Sequence, residues 1–285
     1  MMNIILTAAV AVAVIGLVCG VILAVASKVM AVEEDPRFPA IRAALPGANC
    51  GACGYAGCDG YAQALASGKE TRPNICVPGG ASCAAEIASV LGIEAGEVEK
   101  RVAVVCCAGD CTKTDVRMNY QGVKSCAAAR LLFGGPDACA FGCLGNGDCM
   151  AVCPNNAIRI EKGVAVVDRD LCTGCGLCAN VCPNRVIGIF SAKQQVINVC
   201  SNLERGKAVV DVCKAGCMGC TKCTKVCPNN AIKMDNALAR VNPVRCTACG
   251  KCVEACPTGS VKFVFSGPRP QPEPEETPVE EAPAV

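Results

Sequence analysis

Four cysteines spaced C-x2-C-x2-C-x3-C and followed by proline constrain this chain more than any other feature. The spacing occurs at Cys217, Cys220, Cys223 and Cys227-Pro228, and again at Cys246, Cys249, Cys252 and Cys256-Pro257. Thiols this close on one tight loop converge on a metal centre more readily than they pair with one another. The pattern also belongs to a larger duplication. Cys126, Cys139, Cys143, Cys149, Cys153, Cys172, Cys175, Cys178 and Cys182 all recur after a constant offset of 74 residues, as Cys200, Cys213, Cys217, Cys223, Cys227, Cys246, Cys249, Cys252 and Cys256. The flanking Pro154-Asn155-Asn156-Ala157-Ile158 returns as Pro228-Asn229-Asn230-Ala231-Ile232. Self-similarity of this kind makes each repeat one folding unit.

Composition narrows the chemistry. The chain has 28 cysteines and no histidine, which removes His-ligated zinc, Rieske centres and His-based acid–base catalysis. No Ser-His-Asp set and no G-x-G-x-x-G loop is available, so neither a hydrolytic site nor a dinucleotide site is expected. A net charge of +2 gives no footprint for nucleic acid. The remaining reading is all-thiolate [4Fe–4S] sites of the two-cluster bacterial ferredoxin kind, in which the fourth cysteine of each run ligates the other cluster. Cys217, Cys220, Cys223 and Cys256 are then one ligand set, and Cys246, Cys249, Cys252 and Cys227 its neighbour. In the first repeat Cys172, Cys175, Cys178 and Cys153 form a regular set. Its companion is irregular, because Asn146 stands where the second repeat has Cys220. The spacing leaves two solutions: Cys139 completes Cys143, Cys149 and Cys182, or the cluster keeps three irons. Thiolate zinc is the competing chemistry, although zinc sites seldom use three cysteines two residues apart before Cys-Pro. Between the runs, Ala157 to Val167 and Ala231 to Val241 read as short hairpin strands. Gly219 and Gly250 are placed to let backbone N–H groups approach cluster sulfurs.

The two ends of the chain differ from this middle. From Ile4 to Ser27 no residue is charged, which is long enough for one helix across a roughly 30 Å hydrocarbon layer. A cleaved signal peptide is the alternative, but no Lys or Arg precedes the run. Lys28, Arg37 and Arg42 follow it, so the positive-inside rule puts the remainder in the cytoplasm. The tail from Gly267 to Val285 has six prolines and five glutamates and is expected to be disordered.

After the apolar run comes Asn49-Cys50-Gly51-Ala52-Cys53-Gly54-Tyr55-Ala56-Gly57-Cys58, with Cys76 before Val77-Pro78-Gly79-Gly80. Cys50, Cys53, Cys58 and Cys76 supply four thiolates for a fifth cubane site, flanked by Leu45-Pro46-Gly47 and a helix-like run from Tyr61 to Leu65. An anchor, this module and ferredoxin repeats, in that order, resemble the B subunit of the Rnf complex, the ion-translocating ferredoxin:NAD oxidoreductase. The resemblance extends to the start of the tail. It implies a subunit that takes electrons from reduced ferredoxin and relays them to the other membrane and flavin subunits, with no flavin or NAD on this chain. It also implies a single-pass protein of the cell (inner) membrane with its iron–sulfur domains on the cytoplasmic side.

The expected fold is α+β: a transmembrane helix at 1–28, a four-cysteine Fe–S module at 29–95, a connecting segment at 96–134, ferredoxin-like repeats at 135–195 and 196–266, and the tail at 267–285. Five clusters leave Cys19, Cys83, Cys106, Cys107, Cys111, Cys126, Cys200 and Cys213 unassigned. Cys106 or Cys107 with Cys111, Cys126 and a fourth thiol such as Cys139 could hold a sixth cluster, the alternative being buried free thiols. Lys69, Arg72, Lys222, Lys225 and Lys251 lie near cluster loops, as steering charges for an acidic ferredoxin or as ordinary solvated surface.

Overall fold

The computed structural model describes residues 13–25 and 35–265. The expected Pro/Glu tail lies outside the described residues, as do both ends of the apolar run. Its middle, residues 13–25, is a helix (α1) with every residue exposed. Among the described residues no helix is long and apolar enough to cross a membrane.

Three helices form the four-cysteine module: α2 (Phe38–Ala44), α3 (Gly57–Ala66) and α4 (Gly80–Leu91). Pro39 lies in the first turn of α2, where its missing N–H costs nothing. Cys83, Ala84, Ile87 and Ala88 recur at helical spacing and turn one face of α4 inward. Gly92 ends α4 in a left-handed C-cap with φ of 69°. Ile41, Tyr61, Leu65 and Ile87 fill the space between the helices. Arg37 donates to the carbonyl of Ala66 at 2.8 Å and Arg42 pairs with Asp59, which ties α2 to α3.

The two repeats are built alike. In the first, β2 (Ile158–Glu161) and β3 (Val164–Val167) make a hairpin; in the second, β6 (Ile232–Asp235) and β7 (Leu238–Val241) do. Both hairpins fall where the sequence expects them. Each repeat has two one-turn helices carrying cluster-loop cysteines: α6 (Asp148–Ala151) and α7 (Leu177–Val181) in the first, α9 (Lys222–Lys225) and α10 (Lys251–Glu254) in the second. An outer strand pair completes each unit, β1 (Arg101–Val105) with β4 (Ile187–Ser191) and β5 (Val196–Asn198) with β8 (Val261–Phe263), all antiparallel. Isolated two-stranded ladders have little stability of their own. Here they close over thiols: Ile158, Ala165 and Ile187 pack with Cys149 and Cys178, and the matching Ile232, Ala239 and Val261 pack with Cys223 and Cys252.

Residues 96–134, expected as a connecting segment with extra cysteines, contain a strand and a short helix. Their Arg-Val-Ala-Val-Val stretch is β1, which buries Ala103 in the core of the first repeat and Val102 and Val104 against Ile197, Val199 and Phe265 of the second. The N–H of Ala103 donates to Cys172 Sγ at 3.4 Å. The same segment carries α5 (Cys126–Arg130), whose N-cap Ser125 accepts from the N–H of Ala128. The strands β1, β4, β5 and β8 had no counterpart in the sequence reading, because each pairs across a long stretch of chain.

Candidate iron–sulfur centres

In the second repeat both regular ligand sets come together. Cys217, Cys220, Cys223 and Cys256 wall one space of about 310 Å³. Cys227, Cys246, Cys249 and Cys252 wall another of about 320 Å³. Each run therefore sends its fourth thiol to the other's space. Burial pushes the Cys223 and Cys252 thiols up to about 11, with neighbouring thiols adding to the shift. Burial acts the same way on Cys256, but hydrogen bonds from Ser260, the Val261 N–H and Thr258 outweigh it and bring the thiol down to about 7. A cation that binds such a thiol displaces its proton to solvent, so these groups release protons as metal loads.

The geometry also indicates the size of the bound group. Among the described residues no three or more Cys, Asp or Glu side chains close around a point as one ion requires. The thiols instead stand in groups of four around spaces that open partly to solvent. This arrangement fits a multi-iron cluster better than a single tetrahedral zinc. Backbone donors face the sulfurs: the N–H of Ala231 donates to Cys227 Sγ at 3.3 Å, and its counterpart Ala157 donates to Cys153 Sγ at 3.3 Å. Gly219 and Gly250 adopt left-handed φ of 71° and 83° at their loops, a conformation that glycine tolerates.

In the first repeat the regular set also assembles. Cys153, Cys172, Cys175 and Cys178 wall a space of about 320 Å³, and burial raises Cys178 to about 12. The irregular set assembles differently from the sequence expectation. Cys143 and Cys149 have Cys126 and Cys182 as their electrostatic neighbours. Cys139 instead faces Cys213, and its Sγ accepts from Asn202 Nδ2 at 3.7 Å. The structure thus brings Cys126, rather than Cys139, beside Cys143 and Cys149. The reason is local. Asp148, one residue before Cys149, accepts from Ser125 Oγ at 2.9 Å and from the N–H of Ala127 at 3.0 Å, which fastens the start of α5 over the loop. Those donors hold the Asp148 carboxyl below its usual range in spite of its partial burial. Asn146 is part of the same seam, its Nδ2 lying 3.5 Å from the Ser125 carbonyl.

In the module, Cys50 and Cys76 are electrostatic neighbours of Cys53, and Cys58 and Cys76 pack in the helical core. Asn49 Oδ1 accepts from the Cys58 N–H at 2.8 Å, fixing the start of α3. Gly57, at φ of 85°, allows this, since a Cβ there would lie 2.9 Å from Asn49 Oδ1. Cys83, which the sequence reading left unassigned, lies against Cys76 and hydrogen-bonds it, bringing the Cys76 thiol down to about 7 and raising its own. The module adjoins the first repeat, because Cys50 is an electrostatic neighbour of Cys175.

Comparison with known proteins agrees with this layout. A family model described as a 4Fe-4S dicluster domain matches residues 138–193 and again 216–260, and a model for an Fe-S cluster matches residues 45–78. The B subunit of the proton-translocating ferredoxin:NAD(+) oxidoreductase complex of Clostridium ljungdahlii is 45% identical over 242 residues, covering 85% of this chain and 85% of its own. The B subunit of the Na(+)-translocating complex of Acetobacterium woodii is 43% identical over 243 residues, covering 85% of this chain and 73% of its own. The chain belongs to the Rnf B-subunit family. A further relative, the B subunit of the ion-translocating oxidoreductase complex of Methanosarcina acetivorans, is 37% identical over 229 residues, covering 80% of this chain and 86% of its own.

As an Rnf B-type chain, this protein departs from its own sequence pattern at one ligand position. The 74-residue offset pairs Cys126 with Cys200, yet the two thiols have different surroundings: Cys126 faces Cys143 and Cys149, whereas Cys200 faces Cys217 and Cys139. The second repeat has Cys220 and needs no substitute. The first lacks that thiol, and α5 brings Cys126 to the gap. A cysteine just after an N-capping serine, upstream of a loop with Asn146 and Asp148, was the available signal.

Proposed function

We propose that this chain is the electron-transfer subunit of an Rnf-type, membrane-bound ion-translocating ferredoxin:NAD oxidoreductase. In this reading it accepts electrons from reduced ferredoxin and relays them to membrane and flavin partner subunits. The observation that carries the proposal is the convergence of four thiols on each of three spaces, with backbone N–H donors at sulfur beside them. [4Fe–4S] clusters at these places would supply one-electron transfer at low potential. The ligand sets would be Cys50, Cys53, Cys58 and Cys76; Cys126, Cys143, Cys149 and Cys182; Cys153, Cys172, Cys175 and Cys178; Cys217, Cys220, Cys223 and Cys256; and Cys227, Cys246, Cys249 and Cys252. The Ile4–Ser27 run anchors the chain as a single span, with the iron–sulfur domains on the cytoplasmic side. In this reading the redox activity belongs to the assembly.

The surface supports a docking face on the second repeat. Cys220 and Cys249 are exposed. Around them Lys222, Lys225, Arg245 and Lys251 stand where the first repeat has Asp148, Ala151, Leu171 and Leu177. A basic rim around exposed cluster ligands suits an acidic one-electron donor and speeds its encounter. Arg72, by contrast, is paired with Glu70 at 3.0 Å, so the module carries less free positive charge than its sequence suggests.

The test is to mix anaerobically purified protein with reduced ferredoxin and follow the brown absorbance. Bleaching by ferredoxin and not by NADH is expected. A colourless protein, or one that reduced ferredoxin leaves unchanged, would overturn the reading.

A further inference from the structure

Four thiols outside the five ligand sets meet where the two repeats join. Cys107 and Cys139 come from the first repeat, Cys200 and Cys213 from the second, and together they wall a space of about 280 Å³. The regular ferredoxin spaces measure about 310 to 320 Å³, so this one is nearly the same size. A Cβ built on Gly109 would lie 2.9 Å from Cys213 Sγ and 3.9 Å from Cys107 Sγ, so thiols from both repeats reach the same point. A Cβ on Gly142 would lie 3.6 Å from Cys107 Sγ and 3.8 Å from Cys139 Sγ.

The two contributions are equivalent, which accidental thiols would not be. Cys139 and Cys213 begin the same turn: the N–H of Gly142 donates to the Cys139 carbonyl at 3.3 Å, and the N–H of Gly216 to the Cys213 carbonyl at 3.2 Å. Cys107 and Cys200 each follow the first strand of the outer pair, β1 and β5. Each also accepts from the backbone of its repeat's first loop cysteine: Cys143 N–H to Cys107 Sγ at 3.3 Å, and Cys217 N–H to Cys200 Sγ at 3.2 Å. The junction therefore has a local two-fold pattern, with one pair of thiols from each repeat.

Buried free thiols are the alternative, and Cys106, which borders the same space, belongs chiefly to an apolar cluster. It packs with Val102, Val104, Ile197 and Val199. Three of the four proposed ligands have polar donors at sulfur. Cys107 and Cys200 have peptide N–H groups aimed at sulfur, and Asn202, only 2% exposed, directs its amide at Cys139 Sγ. Donors of this kind stabilise sulfur that carries negative charge, as a cluster ligand does. The set also differs from the one the cysteine spacing suggested. Cys126 is drawn into the irregular ferredoxin group, and Cys111 is exposed.

We propose that Cys107, Cys139, Cys200 and Cys213 hold a sixth [4Fe–4S] cluster at the junction of the two repeats, an assignment that rests on the iron–sulfur reading of the other five groups. One peptide N–H links this site to Cys143 of the first repeat and another links it to Cys217 of the second. The thiol groups then form a continuous series from the exposed Cys249 to the module at Cys50.

The test is iron and acid-labile sulfide per chain, measured on anaerobically purified full-length protein, on Cys106→Ser, and on the double variants Cys139→Ser/Cys213→Ser and Cys107→Ser/Cys200→Ser. About twenty-four irons are expected in the unsubstituted protein and in Cys106→Ser, and about twenty in each double variant. About twenty irons in the unsubstituted protein, or double variants that keep its full iron, would overturn the junction site while leaving the five-cluster reading intact. Zinc in place of iron would overturn both. If neither double variant folds, the unsubstituted count decides alone: about twenty-four supports the site and about twenty removes it.

Discussion

The two ferredoxin repeats have the same hairpins, the same outer strand pair and nine cysteines in register, yet they complete their first cluster differently. The second repeat does it locally, with Cys220 on the loop between Cys217 and Cys223. The first has Asn146 there and takes Cys126 from α5, a helix upstream of the motif. In the proposed ligand set tertiary structure stands in for the absent thiol: a capped helix, Ser125 at its start, and Asp148 holding it to the loop. Equivalent positions in a duplicated sequence are therefore no guarantee of equivalent roles.

The largest effects should come from treating the sequence-paired cysteines alike. Cys126→Ser should disturb the cluster of Cys143, Cys149 and Cys182, whereas Cys200→Ser should leave all five ligand sets intact. EPR of the reduced and oxidised variants distinguishes these, and identical spectra would break the comparison. Next in size is the surface difference. Lys222→Glu/Lys251→Glu should slow reduction by ferredoxin by about tenfold at low salt, and the unsubstituted protein should slow as salt rises. Leu177→Glu in the first repeat should change the rate little; stopped-flow mixing checks all three, and a flat salt profile would remove the docking face.

A smaller effect is expected at the clamp. Asp148→Ala should destabilise the α5 attachment by about 1–2 kcal/mol, seen as faster cluster loss in denaturant, while Lys222→Ala at the matching place should not. The Asp148 carboxyl has a folded-state pKa below its ordinary value, so its contribution is full above the usual carboxylate range and is lost as pH falls through the depressed value. Cluster loss from the first repeat should therefore accelerate, once pH falls below the ordinary carboxylate range, more in the unsubstituted protein than in Asp148→Asn, which lacks the charge at every pH. Least of all should follow from Cys106→Val, since Val199 fills the corresponding place in the second repeat. Its thermal midpoint should shift only slightly.

Much of this organisation was legible in the chain. The hairpins at Ala157–Val167 and Ala231–Val241 and the regular ligand sets follow from short-range spacing, where turn chemistry and loop geometry leave few options. What spacing could not supply was long-range. Strand β1 pairs with β4 across most of the first repeat, and the partner of a half-buried valine run is not written in its neighbours. That pairing brings Cys107 into the place Cys200 occupies after β5. A second alignment of the repeats shows the same thing: Val104-Val105-Cys106-Cys107 laid against Ile197-Asn198-Val199-Cys200 aligns Cys107 with Cys200, which the 74-residue offset hides. The first repeat carries extra residues between that strand and its first cluster loop, and the exposed Cys111 lies in them. Cys139 was expected beside Cys143 on nearness in sequence, whereas its side chain faces Cys213 and Asn202 of the second repeat.

The most direct test of the account is rescue at the irregular site. EPR and iron content would be compared for Cys126→Ser, Cys139→Ser and the double variant Cys126→Ser/Asn146→Cys, all purified without oxygen. The account expects Cys126→Ser to lose a four-iron signal or convert it to an oxidised three-iron one, and the added cysteine at position 146 to restore it, as Cys220 serves the second repeat. A three-iron signal produced by Cys139→Ser, with Cys126→Ser unchanged, would contradict it.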